Sequence, residues 1–304
     1  MNPADPELPA FARARLFPWI ASAPFVLWPL YVLSRGEVRW EMITVMVLVP
    51  VLAFTRRKLF TGLFPLALVA FLYDTMRFVK NVGLTPERVH VCDLREAEMA
   101  LFGVAVGDGP MGTLHDLVQA RPSLALDALC AFPYGTYIYA VIGAAVYLYR
   151  RDFLRMQRFA WTFLLLNLAG FATYHLYPAA PPWYFHAHGC VVDLAAHASA
   201  GPNLSRVDAL MGVDYFHGFY GRSNDIFGAV PSLHVAYPTL LAIETWPYLR
   251  LPLRVVAVAY ATLMCVAAVY LDHHWVIDVL VGLAYTAALL TLVRRFFRPR
   301  AVTP

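Results

Sequence analysis

The 304-residue chain is 60% hydrophobic and only 14% charged, with a mean hydropathy of +0.57; soluble domains run at about 45–50% and about 25%. So few charges cannot cover a water-exposed surface, so the chain reads as a bilayer protein and disorder is excluded. A net charge of +4 and a pI of 8.9 are no sign of nucleic-acid binding, because the basic residues stand at the ends of apolar runs, where membrane topology accounts for them.

In chain order, the segment before Leu16 lacks the apolar core and cleavage site of a signal peptide. Apolar runs follow at Leu16–Leu33, Leu59–Leu72, Leu129–Tyr149, Phe159–Tyr177, Val230–Leu249, Leu253–Leu271 and Trp275–Val293, with a shorter one at Met42–Phe54 that is either a short span or a surface helix. A span takes about 20 residues, and these runs do not alternate, which predicts an all-α, polytopic helical bundle of six to eight spans. The expected division is 1–128, N-terminal membrane helices and an outer loop, and 129–304, a catalytic helical core. With eight spans, one side carries the arginine-rich ends near Arg13, Arg56, Arg150–Arg158, Arg250–Arg254 and Arg294–Arg300, holding 15 of the 24 Lys+Arg; the positive-inside rule makes it cytoplasmic. Two long segments, Asn81–Ala128 and Pro178–Ala229, fall on the other side. Within the first, Glu96–Val106 reads as an amphipathic helix at the interface.

Three outer-side sequences attract notice: Tyr177-Pro-Ala-Ala-Pro-Pro-Trp183, Gly228-Ala-Val-Pro-Ser-Leu-His234 and Asp272-His-His-Trp-Val-Ile-Asp278. Polar residues entering membrane helices are costly and call for a reason. His274 and Asp278 are spaced i, i+4 and share a helix face, so the carboxylate can orient the imidazole and make its other nitrogen a better nucleophile. His234 begins another helix that bundle packing can bring opposite, and helix N-termini offer free N–H groups to a phosphate. Each element alone reads as ordinary capping; together at one face they suit phosphoryl transfer through a phosphohistidine.

Pro-Ser-Leu-His followed by His-x-x-x-Asp resembles the type 2 phosphatidic acid phosphatase superfamily. With the Pro-x-x-Pro-Pro-Trp segment, the chain from about Phe159 to Val293 resembles more narrowly the aureobasidin-resistance family of inositol phosphorylceramide synthases. The resemblance implies a catalytic triad of His274 as nucleophile, Asp278 as its orienting carboxylate and His234 as acid and then base. It implies transfer of a phosphoinositol-type headgroup from a phosphatidylinositol-like glycerophospholipid to a ceramide-like acceptor, with no cofactor and no metal. The superfamily's phosphatases carry Ser-Arg where this chain has Ala267-Ala268, and a Lys-x6-Arg-Pro motif that is missing here. That points away from a plain phosphatase and leaves the phosphate's partner among Ser232, Arg222, His273, Arg77, Lys80 and Arg95. Water as acceptor, giving a lipid phosphate phosphatase, is one alternative. A transporter is another, although neither inverted repeats nor mid-membrane charges support it.

His90, Cys92, His186, His188 and Cys190 lack zinc-site spacing. Cys92 and Cys190, both in outer loops, are free to form a disulfide if that compartment is oxidising. A bacterial inner membrane with an extracytoplasmic active site is the expected location.

Overall fold

A computed structural model describes residues 8–36, 40–79, 82–107, 109–221 and 226–297, with the backbone alone at Trp40, Glu41, Met42 and Arg77. Apolar runs without backbone partners other than their own must coil, since helices satisfy every amide internally, and the described chain is helical almost throughout. In order these are α1 (Ala10–Arg13), α2 (Phe17–Ser34), α3 (Trp40–Thr55), α4 (Arg57–Val79), α5 (Cys92–Phe102), α6 (Leu114–Gln119), α7 (Leu124–Arg151), α8 (Phe153–Leu176), α9 (Pro182–His188), α10 (Gly201–Met211), α11 (Tyr215–Tyr220), α12 (Leu233–Thr245), α13 (Leu251–Tyr270) and α14 (Val276–Phe296). Among the described residues, α2, α4, α7, α8, α13 and α14 are long and apolar enough to cross a bilayer. The protein is an integral membrane protein of the expected all-α kind.

Two expected spans are short. The Met42–Phe54 run lies in α3, whose 16 residues rise about 24 Å at 1.5 Å each, and it packs along α2. The Val230–Leu249 run becomes α12, only 13 residues, closed by a 3-10 turn at Trp246–Tyr248. Ser232 holds extended backbone ahead of it, as an N-cap residue commonly does. Being surrounded by α7, α8, α13 and α14, α12 is the central buried helix, with Val235, Ala236 and Leu240 fully enclosed. Two glycines permit that close packing. A Cβ on Gly282 of α14 would stand 2.4 Å from the Ser232 carbonyl oxygen, and one on Gly170 of α8 would stand 3.0 Å from Leu233.

The long loops are folded. Helix α5 starts at Cys92 and stops at Phe102, earlier than the expected Glu96–Val106, because Val104–Ala105 pairs as a short antiparallel ladder with Met111–Gly112. Its buried face, Leu94 and Glu98, is turned to the N-terminus of α14. A disulfide joins Cys92 to Cys190, fastening α5 to the segment after α9. At the opposite end of the bundle, Glu244 is fully buried and accepts from Arg158 and Arg294, each at 3.0 Å.

Candidate active site

Extended segments, rather than helices, set the frame at the end of the bundle away from Glu244. Ala179 pairs in parallel with both His90 and Gly228: the Ala179 amide donates to the Phe227 carbonyl at 2.7 Å and the Ala229 amide to the Ala179 carbonyl at 3.1 Å. The proline-rich segment holds the other motifs in place. Proline supplies fixed φ and no donor, so Pro178, Pro181 and Pro182 leave few amides to compete for these carbonyls. Trp275 donates its indole N–H to the Ala180 carbonyl at 2.9 Å, and the Trp183 amide donates to the Asp272 carbonyl at 2.9 Å. All three outer motifs thereby meet in one layer.

His234 and His274 stand together there. Nδ1 of His234 lies 3.0 Å from Nε2 of His274, and His274 is 5% exposed. Nδ1 of His274 lies 2.9 Å from the Ala229 carbonyl oxygen. A carbonyl only accepts, so this nitrogen carries the proton and Nε2 presents its lone pair. Nδ1 of His234 must then be the protonated nitrogen, aimed at that lone pair. Its Nε2 faces the Tyr220 hydroxyl at 3.4 Å, and the Tyr134 ring stacks on its imidazole at 4.7 Å. Burial pushes the His274 pKa down to about 4, although its bond to Ala229 opposes the shift. The ring is therefore neutral at pH 7 with its lone pair available.

Asp278 is fully buried and lies 3.5 Å from Nδ1 of His274. His274 precedes the Trp275 N-cap of α14, so the expected shared helix face does not form, and the ring's hydrogen bond goes to Ala229. One Asp278 oxygen accepts from the Trp275 amide at 2.8 Å, capping its own helix, and the other has no hydrogen-bond partner among the described residues. The carboxylate thus fixes the turn that carries the ring, through the Trp275 amide.

The expectation of open helix N-termini fails at α14. At α14 the Val276 and Ile277 amides are taken by the two oxygens of Glu98, at 2.9 and 3.2 Å. Sequence reasoning missed Glu98 altogether: a glutamate on a polar-looking helix gives no sign that it is fully buried. At α12 the Ser232 side chain makes no capping hydrogen bond, and its hydroxyl is buried without a partner among the described residues. This end adjoins a cavity of about 150 Å³ lined by His234, His273, His274, Tyr137, Tyr220 and Tyr237, among others.

The other expected phosphate partners divide. His273 lines the cavity but donates from Nε2 to the Ala200 carbonyl at 2.9 Å; burial pushes its pKa down to about 4, with that bond opposing, so it is no cation at neutral pH. Arg95 is engaged elsewhere, with Asp116 at 2.8 Å and over the Phe185 ring at 4.5 Å. No Arg or Lys lines the cavity among the described residues. Arg222 and Lys80, and the side chain of Arg77, lie outside the described residues. Ala267 and Ala268 are fully buried, and the Ala268 carbonyl accepts from the His274 amide at 3.0 Å.

Behind the site, Asp272 sits in the left-handed region with φ 68°, a conformation Asp tolerates better than most residues. Its carboxylate meets His186 at 2.6 Å and His115 at 3.2 Å, and His186 reaches on to Asp116 at 3.1 Å. Burial works against charge on Asp272, yet His115 and His186 outweigh it and hold its pKa below the ordinary value. For His186 burial is likewise overcome, by Asp272 and Asp116, and the pKa rises. The loop bearing His273 and His274 is thus pinned to α6 and α9 by charge.

Residues 105–292 match the PAP2 superfamily. The phosphoinositol dihydroceramide synthase of Bacteroides thetaiotaomicron is 33% identical over 240 residues, 75% of this chain and 74% of that protein. The inositol phosphorylceramide synthase of Candida albicans is 31% identical over 180 residues, 58% of this chain and 37% of that protein. The catalytic subunit of the Saccharomyces cerevisiae inositol phosphorylceramide synthase is 28% identical over 228 residues, 74% of this chain and 54% of that protein. The chain thus spans about half or less of these fungal relatives' length. No solved structure matches. The chain belongs to the PAP2 superfamily and is related to the inositol phosphorylceramide synthases and to bacterial phosphoinositol dihydroceramide synthase.

Proposed function

We propose that the protein is a lipid phosphotransferase that moves phosphoinositol from a glycerophospholipid to a ceramide-like alcohol. The observation that carries this reading is the paired imidazoles: an Nε2 lone pair on His274 facing a protonated Nδ1 on His234 at 3.0 Å. A donor phosphate entering between them meets a nucleophile on one side and an acid on the other. His274 attacks phosphorus, the bond to the diacylglycerol oxygen breaks, and His234 gives that oxygen its proton. In the second half the acceptor hydroxyl loses its proton to His234 and displaces His274 from phosphorus. The Asp278 carboxylate stabilises the positive charge that the His274 ring gains in the intermediate. The free N–H groups opening α12 and the Ser232 hydroxyl support the phosphate oxygens. Arg222 is the first candidate for their cation, since Tyr220 and Ile226 on either side of it in sequence line the cavity; Arg77 and Lys80 come next.

In this reading 129–304 forms the catalytic core and 1–128 its support, and the reaction takes place on the extracytoplasmic face of a bacterial inner membrane. Purified protein given labelled phosphatidylinositol should form labelled inositol phosphorylceramide only when ceramide is present. Release of water-soluble inositol phosphate at the same rate with and without ceramide would replace the transferase with a phosphatase.

A further inference from the structure

The cavity at His234 and His274 is too small for the substrate it must receive. At about 150 Å³ it matches a core cavity that takes one benzene-sized group, whereas a glycerophospholipid has two long tails. The phosphorus under attack lies between headgroup and tails, so with phosphorus at His274 the tails must leave through the cavity wall.

Among the described residues that line the cavity, Tyr73 is the one exposed. On α4, Val69 is 6% exposed and packed in the core, while Tyr73, four residues on along the same face, is 48% exposed and lines the cavity. Nearer the other end of α4 there is no gap: a Cβ on Gly62 would lie 3.3 Å from Phe153 and 3.5 Å from Tyr149. Tyr73 stands edge-on to Phe171 of α8 at 5.0 Å, and Met76 and Tyr174, about one turn further along each helix, also line the cavity. The cavity is therefore polar at the imidazoles and apolar where it reaches the outside of the bundle. That outside, on a membrane-spanning helix, is hydrocarbon.

We infer that Tyr73, Met76 and Phe171 form the lip of a lateral portal through which the tails of the bound glycerophospholipid donor extend from the site into the bilayer. The two aromatic rings meet edge to face, and Met is the most adaptable apolar lining. The lip rests on the lipid-donor reading above and adds the route and the residues that select the tails.

The test uses the full chain in phosphatidylcholine nanodiscs with a trace of phosphatidylinositol carrying a diazirine in its tail. Photolysis should label peptides containing Tyr73 and Phe171, and a few mole per cent of unlabelled phosphatidylinositol should remove that label. Labelling at Leu280, an exposed position on α14, should hardly change, because bulk lipid dominates there. In turnover, the double variant Tyr73→Trp/Phe171→Trp should lower the ratio of kcat/KM for long-tailed over short-tailed phosphatidylinositol by about tenfold, as expected when a tail contact is lost. Label at the lip that is not competed, together with an unmoved ratio, overturns the portal even if ceramide transfer is intact. Competed label in a protein that transfers nothing to ceramide keeps the portal and removes the transferase reading instead.

Discussion

The two ends of the bundle handle buried charge in opposite ways. At the Glu244 end, one fully buried carboxylate is met by Arg158 and Arg294 at 3.0 Å and by Arg155 at 3.7 Å; both of its oxygens are satisfied. At the His274 end, neutral imidazoles face one another, one Asp278 oxygen and the Ser232 and Tyr134 hydroxyls are buried without hydrogen-bond partners among the described residues, and the Ser232 side chain does not cap α12. An unsatisfied buried polar group costs about 1–3 kcal/mol. The chain avoids that cost at the first end and carries it at the second, where an incoming phosphate can supply the missing partners. The Glu244 carboxylate is thus fully paired, while Asp278 and Ser232 keep unpaired atoms beside the cavity.

The sharpest way to break this contrast is to remove one residue from each end. His274→Ala should lower turnover by about 10³-fold or more while the melting temperature in detergent stays near that of the parent chain; His234→Ala and Asp278→Asn should behave alike. Substantial activity in His274→Ala would remove the nucleophile. Glu244→Ala should do the reverse. It strands the buried Arg158 and should cost about 3 kcal/mol of stability, seen as a lower melting temperature, with the folded fraction keeping its turnover within a few-fold. If Glu244→Ala kills the reaction without loosening the fold, the far end is no mere fastening.

Glu98 sharpens the comparison, because it is a fastening placed at the catalytic end. Losing a cap costs about 1 kcal/mol, and Glu98→Ala should also let the turn before Asp278 shift. The expected result is a kcat lower by about tenfold with KM little changed. A rise in KM alone would make Glu98 a binding residue instead.

The smallest effect is on pH. An ordinary imidazole, with a pKa of 6.5, loses its lone pair to a proton as pH falls through that value; His274, with its pKa pushed down to about 4, keeps it. The rate of the first half-reaction should therefore stay flat between about pH 7 and pH 5 and fall only below that range. A fall centred near 6.5 would mean that the His274 ring is not desolvated when it acts.

Helix content and the three motifs were legible in the sequence because they rest on local rules: apolar run length, positive charge at run ends, and i, i+4 spacing. Partners distant in sequence were not. Nothing in the chain says that Ala229, an alanine, holds the His274 ring by its carbonyl, because any residue has that carbonyl. Glu98 reaches α14 across almost 180 positions, and its helix looks amphipathic and interfacial until the fold buries it. The Glu244 cluster was read as topology: its arginines were counted toward the cytoplasmic side, and their convergence on one carboxylate needs the packed bundle. The shortness of α12 is hidden for a different reason, since hydropathy does not register that the helix starts only at Leu233, after an extended Ser232.

The central claim is that His274 carries the phosphoinositol between donor and acceptor. Rapid quenching of the protein with labelled phosphatidylinositol in the absence of acceptor, followed by peptide mapping at alkaline pH, tests it directly. The account predicts an acid-labile phosphoinositol adduct on the His274 peptide, formed at least as fast as turnover, absent from His274→Ala and discharged when ceramide is added. No adduct at any time point, in protein that still makes product at its full rate, would contradict it and leave direct displacement by the acceptor.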